Sequence, residues 1–207
     1  MKRTSAVIAC LPLLLLMVGC SEEPKPAATQ KEPEKPAEPV TALYARDQMY
    51  VTARSWAPDA QLLSMGNLDL KQVKSAGGKA GAWECTFVTQ RRHRARRYTY
   101  SVVAVPASNL PKGVFGGSED SWFPGGQTRP FFIQAVKTDA VAAYEIAMKK
   151  GADYAKKHPD MPIQFLLELT KELRNPAWRV VWGESVAVSN YSVFVDATTG
   201  LYVKTAR

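Results

Sequence analysis

The clearest pattern in the chain is a period-two alternation near its end. Trp178, Val180 and Trp182 fall on one side of an extended segment, Arg179, Val181 and Gly183 on the other, which predicts a strand with one buried face. A β-branched and aromatic run at 191–195 predicts its partner, and D-A-T-T-G at 196–200 reads as a turn. The same plan appears earlier, with strands predicted at 82–90 and 97–105. Residues 62–73 read as a first strand, and 163–169 as a strand or a short helix, with Phe165, Leu167 and Leu169 fitting a strand face. Steps of three and four dominate elsewhere. Ala42, Ala45, Met49, Ala53 and Trp56 predict a helix over 41–57, ended by Pro58 and Asp59. Val141, Tyr144, Met148, Gly151 and Ala155 predict a second over 140–157, with Asp139 as its N-cap and lysines near its end.

The two halves repeat an order: helix, Pro-Asp break, apolar strand, Ala-Trp strand, Tyr-Ser-Val strand. Pro58-Asp59 matches Pro159-Asp160, Ala82-Trp83 matches Ala177-Trp178, and Tyr100-Ser101-Val102 matches Tyr191-Ser192-Val193. The expected fold is α+β, two repeated units of one helix packed on a small antiparallel sheet, each too small to bury a robust core alone. The first unit spans 41–105 and the second 139–207. Between them, 106–138 is rich in glycine and proline and reads as an irregular connecting loop.

The second half resembles the PepSY family of small exported modules. The resemblance rests on the Ala-rich helix at 140–155, on Pro176, Trp178 and Val180, and on V-D-A-T-T-G at 195–200. The first half fits more loosely, with Cys85 where Val180 stands and no D-A-x-T-G ending. The resemblance implies a non-catalytic envelope module that binds or restrains a partner such as a peptidase, and it carries over no functional residue.

The beginning of the chain supplies an address. Lys2 and Arg3 precede an apolar run at 6–18, and Gly19-Cys20 follows: a charged start, a short hydrophobic stretch and a small residue before a cut. The run is shorter than the ~20 residues a spanning helix needs. Met17-Val18-Gly19-Cys20 resembles the lipobox of bacterial lipoproteins, which implies signal removal over 1–19 and a lipid on Cys20. Ser21 after the cysteine implies outer-membrane sorting, facing the periplasm, in a host with two membranes. Residues 20–40 then form the lipidated cysteine and a Pro/Glu/Lys linker with little apolar surface to bury. With Cys10 removed and Cys20 acylated, Cys85 has no partner for an intramolecular disulfide.

Charge narrows the function classes. The chain has 27 basic and 19 acidic residues. Lys2, Arg3 and three linker lysines account for five of the former and the linker's glutamates for five of the latter, leaving 22 against 14 from residue 41 on. The densest cluster is Arg91, Arg92, His93, Arg94, Arg96 and Arg97. It reads as the tip of a long hairpin, either a solvated loop or a binding patch for anionic envelope surfaces. No helix-turn-helix or RNP-type motif accompanies it, so nucleic acid is a poor fit. Phe115, Trp122 and Phe123 lie in the 106–138 loop and read either as a lid packed on the sheet or as a partner groove. The chain has two histidines, and neither sits at metal-ligand spacing. No nucleophile–His–acid set and no cofactor motif is present. The expectation is a membrane-anchored, non-catalytic binding or inhibitory module with an envelope protein partner. An enzyme with an unrecognised site and a purely structural envelope protein are the alternatives.

Overall fold

The computed structural model describes residues 36–206. Cys20, the leader and the linker as far as residue 35 lie outside the described residues. The described chain begins with β1 (Val40–Thr41), which pairs antiparallel with the short β3 (Lys79–Ala80). Between them run helix α1 (Ala42–Trp56) and β2 (Gln61–Leu68). Next come β4 (Ala82–Thr89), β5 (Arg94–Ser101) and β6 (Gly113–Ser121). Helices α2 (Ala140–Lys150) and α3 (Ala152–Lys157) precede β7 (Ile163–Glu168), β8 (Ala177–Trp182), β9 (Tyr191–Asp196) and β10 (Tyr202–Ala206).

Among the described residues, eight strands make one antiparallel sheet in the order β10-β9-β8-β7-β2-β4-β5-β6. The first strand after each long helix, β2 and β7, lies at the centre, and each half continues outward as a meander. The protein is therefore a large antiparallel sheet with helices on it, not a pair of separate small sheets. Helix α1 packs on β4, β5 and β6, and α2 packs on β8 and β9. The alternation read from sequence sets which side chains face the helices, although Val88 and Val181 on the opposite face are fully buried as well. Trp83, Cys85 and Phe87 join Trp178, Val180 and Trp182 in one buried cluster beneath both helices, while Glu84, Thr86 and Arg179 turn to the opposite face.

Two tryptophans fix how the helices begin. The Trp83 indole N–H donates to the Val40 carbonyl at 3.0 Å, two residues before α1 starts. The Trp178 indole does the same with the Thr138 carbonyl at 2.8 Å, two residues before α2. Their rings meet edge to face at 6.3 Å. Each ring thus fills the core and satisfies its polar edge on a carbonyl at a helix entrance.

Asp139 occupies the N-cap position of α2, but its carboxylate makes no bond to that helix. It accepts instead from the N–H groups of Ala42 and Leu43 at the start of α1, both at 3.2 Å. Two helix N-termini meet there, and one negative charge serves the unpaired donors of the neighbouring helix.

Several expected boundaries move. β2 ends at Leu68 rather than at 73. β5 begins at Arg94 and ends at Ser101, so Arg94, Arg96 and Arg97 belong to a strand and the hairpin tip is confined to 90–93. The helix expected over 140–157 breaks at Gly151, where a Cβ would sit 3.0 Å from the Tyr191 ring and 3.2 Å from Trp182. The 106–138 segment is not irregular throughout, because it contains the nine-residue β6. As an edge strand β6 needs pairing on one side alone. Its glycines let neighbours close in, since a Cβ on Gly116 would lie 3.0 Å from the Tyr98 ring.

The closing turn forms as read. Asp196 accepts from the N–H groups of Thr198 and Thr199, both at 2.8 Å, and Gly200 takes φ 73°. Burial pushes the Asp196 carboxyl up, yet the Asn175 amide and the two turn N–H groups outweigh it and hold it below its ordinary value. A carboxyl depressed in the fold contributes stability above its unfolded pKa, about 3.9, and loses it as pH falls through the folded value. The stability difference between the wild type and Asp196→Asn is expected to be widest above about pH 4 and to shrink below it. Urea titrations from pH 2 to 7 check this, and a pH-independent gap would remove the carboxylate from the account.

Candidate partner-binding site

The hairpin tip is built on Asp59, in the turn that follows α1. Its carboxylate accepts from the Thr89 hydroxyl at 2.9 Å and from the Arg91 N–H at 3.3 Å. Burial raises the Asp59 carboxyl, but these bonds and the nearby Arg91 charge bring it below the ordinary value, so it stays ionised and ties the tip to the helix end. His93 closes the turn with φ 52°.

The five arginines do not form one cationic patch. Arg92 lies 4.9 Å over the Trp56 ring and donates to the Trp56 carbonyl at 3.0 Å, with Glu119 at 3.9 Å. The Trp56 indole donates to the same Glu119 carboxylate. Arg96 donates to the Gly117 carbonyl at 2.8 Å and covers the Tyr98 ring at 5.4 Å. Arg94 reaches the Ser121 hydroxyl at 3.0 Å. Arg97 points to the other face of the sheet, 3.5 Å from Glu84. Burial raises the Glu84 carboxyl and the Arg97 charge pulls it back in part. Pleating sends Arg96 and Arg97 to opposite faces, a consequence that seven residues read as a loop would not have.

The aromatic residues divide as well. The Phe123 ring stacks on His93 at 5.4 Å with 21° between planes, and it remains 69% exposed. The Trp122 N–H donates to the His93 carbonyl at 2.9 Å. Phe115 pairs across from Thr99 on the open face of the sheet, roughly 20 Å back along the strand. Phe115, Trp122 and Phe123 are thus not one groove. The structure brings together Arg91, Arg92, His93, Arg94, Trp122 and Phe123, two stretches that the sequence holds about thirty residues apart. Glu119 and Asp120 sit opposite Arg96 and Ala95 in the β5–β6 ladder.

Asp59 and Trp56 are the members that sequence reading missed. Pro58-Asp59 was visible as a helix stop, but its bond to Thr89 needs the fold. Cys85 is fully buried, and burial pushes its thiol well above the usual range, which leaves it unreactive. Among the described residues no three His, Cys, Asp or Glu side chains gather closely enough to hold a metal ion, and no helix is long and apolar enough to cross a membrane.

No protein-family model and no curated protein matches the chain. A solved structure from Clostridium difficile 630, described as a lipoprotein, is similar over 78% of this chain and 91% of its own, with 12% identity and a TM-score of 0.39. A likeness that loose carries neither fold nor function across to this protein.

Proposed function

We propose that this chain is a lipid-anchored protein of the bacterial cell envelope, a non-catalytic binding module held to the membrane through Cys20. An anionic partner meets it at the β4–β5 tip. The observation that carries this reading is the convergence of exposed Phe123, stacked on His93, with Arg91, Arg92 and Arg94. An aromatic anchor ringed by arginines is the composition that interface centres favour. Arg92 and Arg94 are already held by Trp56 and Ser121, so the surface is preorganised and loses little side-chain freedom on contact.

The two halves are read as copies of one helix-plus-meander unit, PepSY-like in the second half. The mirrored strand order and the matched indole–carbonyl bonds support the duplication. In this reading the sheet is scaffold and the tip is the working surface.

The test is affinity capture from envelope extract with the full chain, at about 0.05 M and 0.5 M salt, where screening separates charge-driven from packed contacts. Replacing Arg91, Arg92 and Arg94 with Gln and Phe123 with Ala is expected to lower recovery of the captured partner at least about ten-fold, as loss of a hot spot does. Unchanged recovery with an unchanged melting temperature would remove the tip from the interface.

A further inference from the structure

The central strands β2 and β7 pair over three residues each, Ser64, Met65 and Gly66 against Glu168, Leu167 and Leu166, and splay apart at both ends. At one end the chain fills the gap itself. Thr128 bridges Thr170, the Arg129 N–H donates to the Leu169 carbonyl at 2.7 Å, and Phe131 exchanges both backbone bonds with Leu62 at 2.8 and 2.9 Å. The Phe131 side chain is buried beside Leu62. The Ile133 and Val136 carbonyls that follow accept from Arg46 of α1.

At the other end the gap is open. A cleft of about 500 Å3 lies between Asp69 and Gly78 on the β2 side and Met161 and Ile163 on the β7 side, with Tyr144 of α2 and Phe165 in its wall. Register makes the two ends counterparts. Leu62 faces Phe87 of β4 as Ile163 faces Trp182 of β8. The fifth residue of α1 is Arg46, and the fifth of α2 is Tyr144. The backbone is oriented to match. The Phe165 N–H points toward β2, where the Asn67 side chain accepts it at 2.7 Å. Strand alternation turns the Ile163 N–H and carbonyl the same way, into the cleft, while the Pro162 carbonyl bonds Gly183 on the β8 side. Among the described residues, no strand pairs with Ile163 on that side.

We propose that this cleft takes an extended peptide segment of a partner protein, which pairs with the Ile163 backbone and sends an apolar side chain in beside Tyr144 and Phe165. The chain's own 128–136 segment, seated in the counterpart gap, shows the occupant's conformation and its aromatic residue. The Asp69 carboxylate is engaged by Asn67, Ser75 and Gln164. Asp160 and Lys74 also line the cleft, so its own charges do not call for an acidic segment, and the occupant is selected by its apolar side chain, an aromatic one as in the counterpart gap. Main-chain pairing supplies the affinity and the side-chain pocket the selectivity.

The probe is the peptide Arg-Pro-Phe-Phe-Ile-Gln-Ala-Val, which copies 129–136. Titrated into the full chain and followed by amide NMR, it is expected to bind saturably and shift the Ile163 and Phe165 signals. Methylating the amide nitrogen of its first Phe keeps the side chains and removes one strand-pairing donor, so affinity is expected to fall at least about ten-fold. Ile163→Pro, tolerated at the first position of a strand, removes the matching donor on the protein and is expected to weaken binding similarly. If that variant does not fold, the methylated peptide decides alone. Equal binding of the methylated peptide, shifts confined to Leu62 and Phe131, absence of saturable binding at millimolar peptide, or a dimer formed by exchange of the 128–136 segment would each overturn the proposal.

Discussion

Trp178→Ala is expected to destabilise the protein by ~3–5 kcal/mol, the range for truncating a large aromatic in a close-packed core. The residue is fully buried, contacts Trp83 at 6.3 Å and Phe165 at 6.4 Å edge to face, and satisfies the Thr138 carbonyl. Truncation opens a cavity at the junction of both halves and strips a bond from the segment that launches α2. Against the 5–15 kcal/mol typical of whole domains, one substitution removes a large share of the total. Trp178→Phe keeps most of the volume and loses the N–H, so it is expected to cost about 1–3 kcal/mol. Urea unfolding followed by far-UV circular dichroism measures both. If the alanine variant lost under 1 kcal/mol, the indole–carbonyl bond and the shared core would not be what joins the helices to the sheet.

Gly78→Ala is the second large effect, although it adds a single methyl, because Gly78 is buried in the turn before β3. Gly78 has φ +81°, and a Cβ there would come within 2.5 Å of the Ala140 carbonyl oxygen and the Val141 Cα, and within 2.6 Å of the Val141 nitrogen. Those atoms are backbone in the first turn of α2, which cannot rotate aside as a side chain would. Left-handed backbone costs an alanine about 1–2 kcal/mol, and overpacking adds about 1–3 kcal/mol. The expected loss is therefore roughly 2–5 kcal/mol. Neighbouring Gly77 also has positive φ, +56°, but no atom lies within 4 Å of its Cβ position. Gly77→Ala is thus expected to show the conformational cost alone, about 1–2 kcal/mol. Thermal unfolding of the pair separates clash from strain, and equal losses would dismiss the contact with α2.

Much of the fold was legible in local patterns. The strands at 82–89, 177–182 and 191–196 follow from side-chain pattern, and the core face they present is the one named by Trp83, Phe87, Trp178 and Trp182, while 163–168, open to strand or short helix on its pattern, is a strand. Thr41 and Ala57 bound α1 as read, and the turn at Asp196 forms as its residues dictate. These features depend on side-chain period, on local hydrogen bonding and on glycine's freedom, all of which act within a few residues.

What failed depends on distance along the chain. β6 contains three glycines and a bulge and has no local pattern of its own; it is a strand because β5 lies beside it. Asp139 sits where a cap belongs, but the helix it serves begins ninety-seven residues earlier. Arg96 and Arg97 are neighbours in sequence and lie on opposite faces of the sheet, because the pleat and not the charge decides their direction.

By itself, then, the sequence determined the helix-facing core residues, the bounds of α1 and the strands around the Ala-Trp and Tyr-Ser-Val runs, and that arginines gather about one hairpin turn. The single sheet, the meeting of that tip with Phe123, and the gap between β2 and β7 that is filled at one end and open at the other were decided by tertiary structure alone. The reason is physical. Periodicity and capping are set by neighbours in the chain, whereas the β2–β7 pairing that joins the two meanders and the seating of 128–131 depend on backbone groups more than thirty residues away, whose pairing no local pattern encodes.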